Sequence, residues 1–201
     1  MGYGLAMLAA PKFGFVFLAA PKAGSTAIQR AFTEHAQLLT PGPPSLKHVT
    51  AAEFEADFAP LLAKHGYPRA AYQTTCLVRE PIELTISWWR YRSRRNIRDS
   101  AHYTGEITFD QFAEIVLAGG GDFRRPAEFA CDAGGRLIVD RPFRYDNVDA
   151  CVSWMAALVG ETVEVGRANV SPQREVEVSP ETRRALEEFY ADDLALYEAS
   201  A

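Results

Sequence analysis

Apolar and polar positions fall into two alternating patterns along this chain. Phe13, Phe15, Val16, Phe17 and Leu18 form a short β-rich apolar run, which predicts a buried strand over 13–20. Ile28, Phe32, His35 and Leu39 then share one helical face and predict an amphipathic helix from Thr26 to Leu39. "TPGPPS" punctuates it as a loop. Thr50 and Glu53 have capping-box spacing and open a helix running to about Lys64. "AYQTTCLV", 71–78, predicts a second strand, and Pro81 suits the first turn of a helix that turns Ile82, Ile86 and Trp89 inward and runs out near Arg98. A short helix spans Thr108 to Gly119 with Gln111 as capping partner, and "RLIVD" and "FRYDN" read as a strand pair or one interrupted strand. A helix over Val148–Val159 comes next. A last helix opens on Ser179 and Pro180 and buries Leu186, Tyr190, Leu194 and Tyr197. Strands alternating with helices predict an α/β fold, a parallel sheet with helices on both faces.

Composition narrows the setting. The 201 residues suffice for one domain with a sizeable core. A net charge of −5 argues against a general nucleic-acid binder while leaving room for a local basic cleft. Cys76, Cys131 and Cys151 are odd in number and widely spaced, so neither a zinc site nor a disulfide framework is expected from them; reduced thiols fit a cytoplasmic protein. The apolar N-terminal stretch carries Lys12 and no basic leader, so it reads as strand and not as signal peptide or membrane span, and "MGYGLA" lacks the hydroxyl residue of a myristoylation site.

The chemistry begins with a repeat. "LAAPK" occurs at Leu8–Lys12 and again at Leu18–Lys22. The first copy merely precedes the predicted strand, and its repetition reads as chance in an Ala-rich chain. The second lies between a strand and a helix and continues "AGST". A strand, a tight turn at Gly24 and a helix opening on Ser25 and Thr26 converge backbone N–H groups and the helix dipole on one point, where Lys22 adds a charge. This is a phosphate cradle of P-loop type. It is not the Walker A loop GxxxxGK[ST], because its lysine precedes the glycine and the loop is shorter.

A second anion pocket is suggested by "LVREPIELTISWWRYR". Arg79 stands at a strand end and Ser87 lies eight residues on in the following helix, offset by about 100° from the inward Ile86. At this point the chain resembles the sulfotransferase family. "PKAGST" is similar to that family's 5′-phosphosulfate loop and "LVREPIELTISWW" to its 3′-phosphate segment. "FRYDNV" and the stretch from Asn169 to Glu198 resemble more weakly the bacterial and carbohydrate-type branch. The resemblance implies 3′-phosphoadenosine 5′-phosphosulfate as sulfuryl donor and a hydroxyl or amine on a carbohydrate-like or small acceptor. It implies that Lys22 meets the bridging and departing oxygens. Ser25, Thr26 and the amides of Ala23 and Gly24 would take the 5′-phosphate, and Arg79 and Ser87 the 3′-phosphate. No metal is required on this reading, since Lys22 supplies charge that magnesium supplies in kinases.

The acceptor must lose a proton. The family places its base in the region that here reads "SLKHVTAAEF", which makes His48 the candidate, with Glu53 as fallback. His35 on the apolar stripe reads as a core-boundary residue, and His65 as complementing a helix end. "WRYRSRRNIR" holds five arginines, read either as a solvated helix end or as lining for an acidic acceptor or the donor. Two other functions stand beside sulfuryl transfer. A P-loop small-molecule kinase would need a Walker-type glycine and a magnesium ligand. A catalytically silent nucleotide-binding protein would need only the cradle.

Overall fold

The computed structural model describes residues 7–40, 42–166 and 174–201. "MGYGLA" and the 169–173 part of the C-terminal stretch compared with the carbohydrate-type branch therefore lie outside the described residues. The chain opens with β1 (Leu8–Ala10) and β2 (Phe15–Leu18), joined by a 3₁₀ turn at Pro11–Phe13 that Gly14 closes at φ 88°. Then come α1 (Ser25–Phe32), β3 (Leu38–Leu39) and α2 (Pro44–Lys47). α3 (Ala51–Glu53) continues through a π-helical turn, Phe54–Phe58, into α4 (Ala59–Lys64). β4 (Gln73–Val78) leads into α5 (Pro81–Arg92). α6 (Phe109–Leu117), α7 (Pro126–Ala130), β5 (Arg141–Arg144), α8 (Val148–Val159), α9 (Pro180–Phe189) and α10 (Ala191–Ala199) complete it.

The sheet order is β3-β1-β2-β4-β5. β2, β4 and β5 run parallel, but β1 is antiparallel to both β2 and β3. The fold is thus α/β with a mixed sheet, which corrects the expected all-parallel one. The cause is the first LAAPK copy. Its Leu8, Ala9 and Ala10 do not merely precede a strand; they are one, fully buried and folded back on β2 as a hairpin. Both copies end a strand and begin a turn. They differ in the element the turn leads to: β2 after the first copy, α1 after the second.

Successive strand residues face opposite layers, as a period of two requires. Leu8, Ala10, Phe15 and Phe17 pack with Ile28, Phe32, Cys151 and Met155 of α1 and α8. Met7, Ala9, Val16 and Leu18 pack with Phe54, Leu62 and Leu196 on the other face. A third cluster joins α5, α6 and α9 through Ile86, Trp89, Phe112, Leu186 and Tyr190. Both capping boxes form, at Thr50/Glu53 and Thr108/Gln111.

Several predicted boundaries move. The first helix stops at Phe32 rather than Leu39, because Gln37 and Thr40 donate their backbone N–H groups to Ala9 and Met7 and add β3 to the sheet. α5 ends at Arg92, whose buried guanidinium donates to the carbonyls of Gly121 and Asp122. "RLIVD" forms only an isolated bridge, Cys131 to Leu137, so the strand is Arg141–Arg144 alone. The last helix divides at Tyr190, whose hydroxyl is 2.8 Å from Thr85 Oγ1. Leu186 and Tyr190 are buried there, while Leu194 and Tyr197 are half-buried. All three cysteines are free and buried. Among the described residues no helix is long and apolar enough to cross a membrane.

Candidate functional site

The loops after β2 and β4 meet at one end of the parallel strands. The β2 loop makes two left-handed steps, at Lys22 (φ 59°) and Gly24 (φ 68°), before α1 begins. A lysine in that region is strained, and such strain clusters at functional positions. Three of the loop's carbonyls are held by side chains. His48 Nδ1 donates to Ala19 at 2.7 Å, the Ser25 hydroxyl to Ala20 at 2.8 Å, and Arg79 Nη1 to Lys22 at 2.9 Å. The Arg79 bond ties the two predicted anion segments together directly. With those carbonyls occupied, the first turn of α1 still carries N–H groups that its own helix cannot satisfy.

A cleft of about 1320 Å³ opens here. Lys22, Gly24, Ser25, Thr26, His48, Arg79 and Ser87 all line it, so residues spread over sixty-odd positions share one space. Ala23 is buried beneath it, against a smaller hollow that Arg79 also borders. The charged lining is mostly positive: Lys22, Lys47, Arg79, Arg90, Arg94 and Arg174 against Asp149 and Glu175. An acidic protein that gathers cations in one hollow focuses a field attractive to anions.

Lys22, Arg79, Arg94 and Arg174 are held against aromatic rings. Lys22 Nζ lies 4.5 Å from the Tyr91 ring centre, and the Arg94 guanidinium lies 4.5 Å from the same ring. Burial, then the charges of Arg94 and Arg79, pull the Lys22 ammonium down to about 8. Arg79 stacks 4.8 Å from the Tyr145 ring, and among the described residues its buried Nε has no hydrogen-bond partner. A buried guanidinium N–H can donate a charge-assisted hydrogen bond to an anion. Arg174 lies 3.6 Å over Trp89 and donates to the carbonyls of Thr104 and Ile107.

His48 is held in one tautomer. Its Nδ1 proton goes to Ala19, so Nε2 is left as the acceptor. Burial lowers its pKa, only partly offset by the Ala19 bond, and the charges of Lys47 and Arg124 add to the lowering. The ring is therefore neutral at pH 7. Glu53, the fallback, is spent elsewhere. It closes the Thr50 capping box and takes a two-pronged pair from Arg124 at 2.9 and 3.0 Å. These partners hold its carboxyl at about 2, too weak a base for a hydroxyl. Ser25 also departs from expectation: its only hydroxyl proton is given to Ala20, so its backbone N–H, and not its side chain, is available as a donor.

Trp88, Arg174 and Tyr145, which carry no role in the sequence-based expectations, also line the cleft, together with Tyr91 of the arginine run. Trp88 and Tyr91 of "WWRYR" and the tyrosine of "FRYDNV" stand in the sequence beside the two anion segments. The arginine run divides in the fold. Arg90 and Arg94 reach the cleft, Arg92 is structural, and Arg95 is exposed.

Gly24 is required twice, by its φ and by contact. A Cβ there would meet Tyr145 Cε2 at 3.0 Å, whereas at Gly66 (φ 89°) it would meet nothing. Both alanine variants should lose about 1–2 kcal/mol to left-handed strain. Only Gly24→Ala should also displace Tyr145 and weaken anion binding. Chemical denaturation and titration with a nucleotide bisphosphate measure the two effects separately; equal anion affinity in both variants would remove the Tyr145 contact from the cradle.

No family model, curated protein or solved structure matches the chain.

Proposed function

We propose that this protein transfers a sulfuryl group from 3′-phosphoadenosine 5′-phosphosulfate to a hydroxyl, or an amine, of a carbohydrate-like or small acceptor. The observation that carries the proposal is the Arg79–Lys22 bond. It brings the "PKAGST" loop and the "LVRE…SWW" segment to one cleft, with a neutral histidine on its wall.

The cleft suits the donor in two respects. The orphaned Arg79 Nε and the Ser87 position offer one anion site, and the α1 N-terminus with Thr26 and Lys22 offers another. In the transfer, the acceptor O–H gives its proton to His48 Nε2 as its oxygen bonds to sulfur. The bond from sulfur to the 5′-phosphate oxygen breaks, and the charge left on that oxygen falls to Lys22 and the α1 amides. Lys22 takes the electrostatic part and His48 the proton.

Nucleotide choice tests the two-pocket reading. Adenosine 3′,5′-bisphosphate should bind more tightly than 5′-AMP by about 1.5–3 kcal/mol, the value of a buried charge-assisted contact, or roughly 10- to 150-fold. Arg79→Ala should flatten that difference, and Arg79→Lys should restore only part of it, since a lysine cannot span the Lys22 carbonyl and a phosphate together. Calorimetric titration measures all of these. Equal affinity of the native protein for both nucleotides would end the two-pocket reading.

A further inference from the structure

At the other end of β2 from the cleft, three potential ligands converge that sulfuryl transfer does not use. Glu34 and His35 lie in the 3₁₀ turn after α1, and Glu161 comes directly after the Gly160 cap of α8. One ligand atom from each lies within 4.8 Å of the others.

His35 distinguishes this cluster from a patch of surface acids. Its side chain is only 8 % exposed. The ring is wedged edge-on to Phe13 at 5.4 Å and tilted against Phe32 at 6.1 Å. Its Nε2 is buried with no hydrogen bond among the described residues and stands 3.7 Å from the Glu161 carboxylate. A buried imidazole nitrogen with no partner costs free energy unless something meets it. The Glu161 backbone is fixed too, since its N–H donates to Ala156 at the end of α8.

We propose that His35, Glu34 and Glu161 bind a divalent transition-metal ion of zinc type, which clips the end of α1 to the end of α8. One imidazole and two carboxylates form a zinc-compatible donor set, with water completing a tetrahedron. Bonds of about 2.0–2.2 Å place tetrahedral ligands about 3.3 Å apart. Closing to that spacing falls on the two exposed glutamates, whose side chains can swing, while the wedged imidazole stays in place. Magnesium is disfavoured because it prefers oxygen ligands and octahedral geometry. Metal binding uses carboxylate oxygens and an imidazole lone pair as donors, so acid competes with it. The site does not depend on the sulfuryl-transfer reading.

Chelator-treated protein titrated with zinc chloride, with thermal unfolding in parallel, tests the proposal. One zinc ion should bind per chain, saturably, and raise the unfolding temperature, while magnesium chloride at equal concentration should not. Glu161→Gln and Glu34→Gln change exposed side chains and should fold normally. Each should weaken zinc at least by the roughly 10–100-fold that even an outer-shell partner costs. His35→Gln should abolish the binding, but the proposal does not rest on that buried variant folding. Absence of saturable binding overturns the site. So does zinc binding that survives both glutamate substitutions, since the ion would then be held by other groups.

Discussion

Lys22→Ala should lower turnover by roughly 10²–10³, the usual cost of removing one preorganised charge or donor from a transition state. Affinity for the product nucleotide should fall far less, because Arg79, Ser87 and the α1 amides would still hold it. Lys12→Ala is the internal control. Lys12 occupies the same place in the same pentapeptide, yet it is exposed on the β1–β2 turn and nowhere near the cleft lining. It should leave turnover unchanged. The Lys22 pKa of about 8 adds a sign. The proposed transfer uses its charge, so kcat/KM should fall as pH rises through about 8, where the free protein loses that proton. A bound anionic donor favours the ammonium, so the alkaline limb of kcat should lie higher. Steady-state rates across pH check both limbs. Equal losses in the two lysine variants, or an alkaline limb that persists in Lys22→Ala, would remove Lys22 from the chemistry.

His48→Ala should cost roughly 10²–10⁴ in rate while donor binding stays normal, because a general base acts on the acceptor and not on the nucleotide. His48→Gln should be nearly as slow: it keeps a polar group near the Ala19 carbonyl but cannot accept a proton at neutral pH. The acid limb is set by the direction of the pKa shift. His48 is pushed below the ordinary histidine value, so the native rate should hold from neutral pH down past that value and fall only as the ring protonates. Native kcat/KM should therefore be bell-shaped, with His48 on the acid side and Lys22 on the alkaline side. Glu53→Gln is the counter-test. Its carboxyl is committed to Thr50 and Arg124, so its loss should lower stability through the cap and leave the acid limb where it was. A rate that survives His48→Gln and collapses in Glu53→Gln would reverse the assignment.

What the sequence by itself determined is local. Apolar periodicity, proline at first helical positions and cap residues three apart depend on neighbours within a turn or two, so β2, β4, α5, α6 and α8 were legible, as were both capping boxes. Gly24, Ser25 and Thr26 likewise marked a strand–turn–helix before any fold was known. The tertiary structure decided whatever depends on a partner distant in sequence. Leu8–Ala10 has no legible alternation in three residues; it is a strand because β2 and β3 supply its hydrogen bonds on both sides. The helix predicted to Leu39 ends early for the same reason, since pairing to β1 satisfies backbone groups that further helix would have used. Ser25 and Glu53 looked available because a sequence shows which groups a residue carries and not where its protons and charge are engaged. Ala20 and Arg124, respectively, answered that. The large separation of Lys22 and Lys12 expected in turnover has the same origin: one pentapeptide, two turns, and only one of them facing Arg79, Tyr91 and His48 across a cleft.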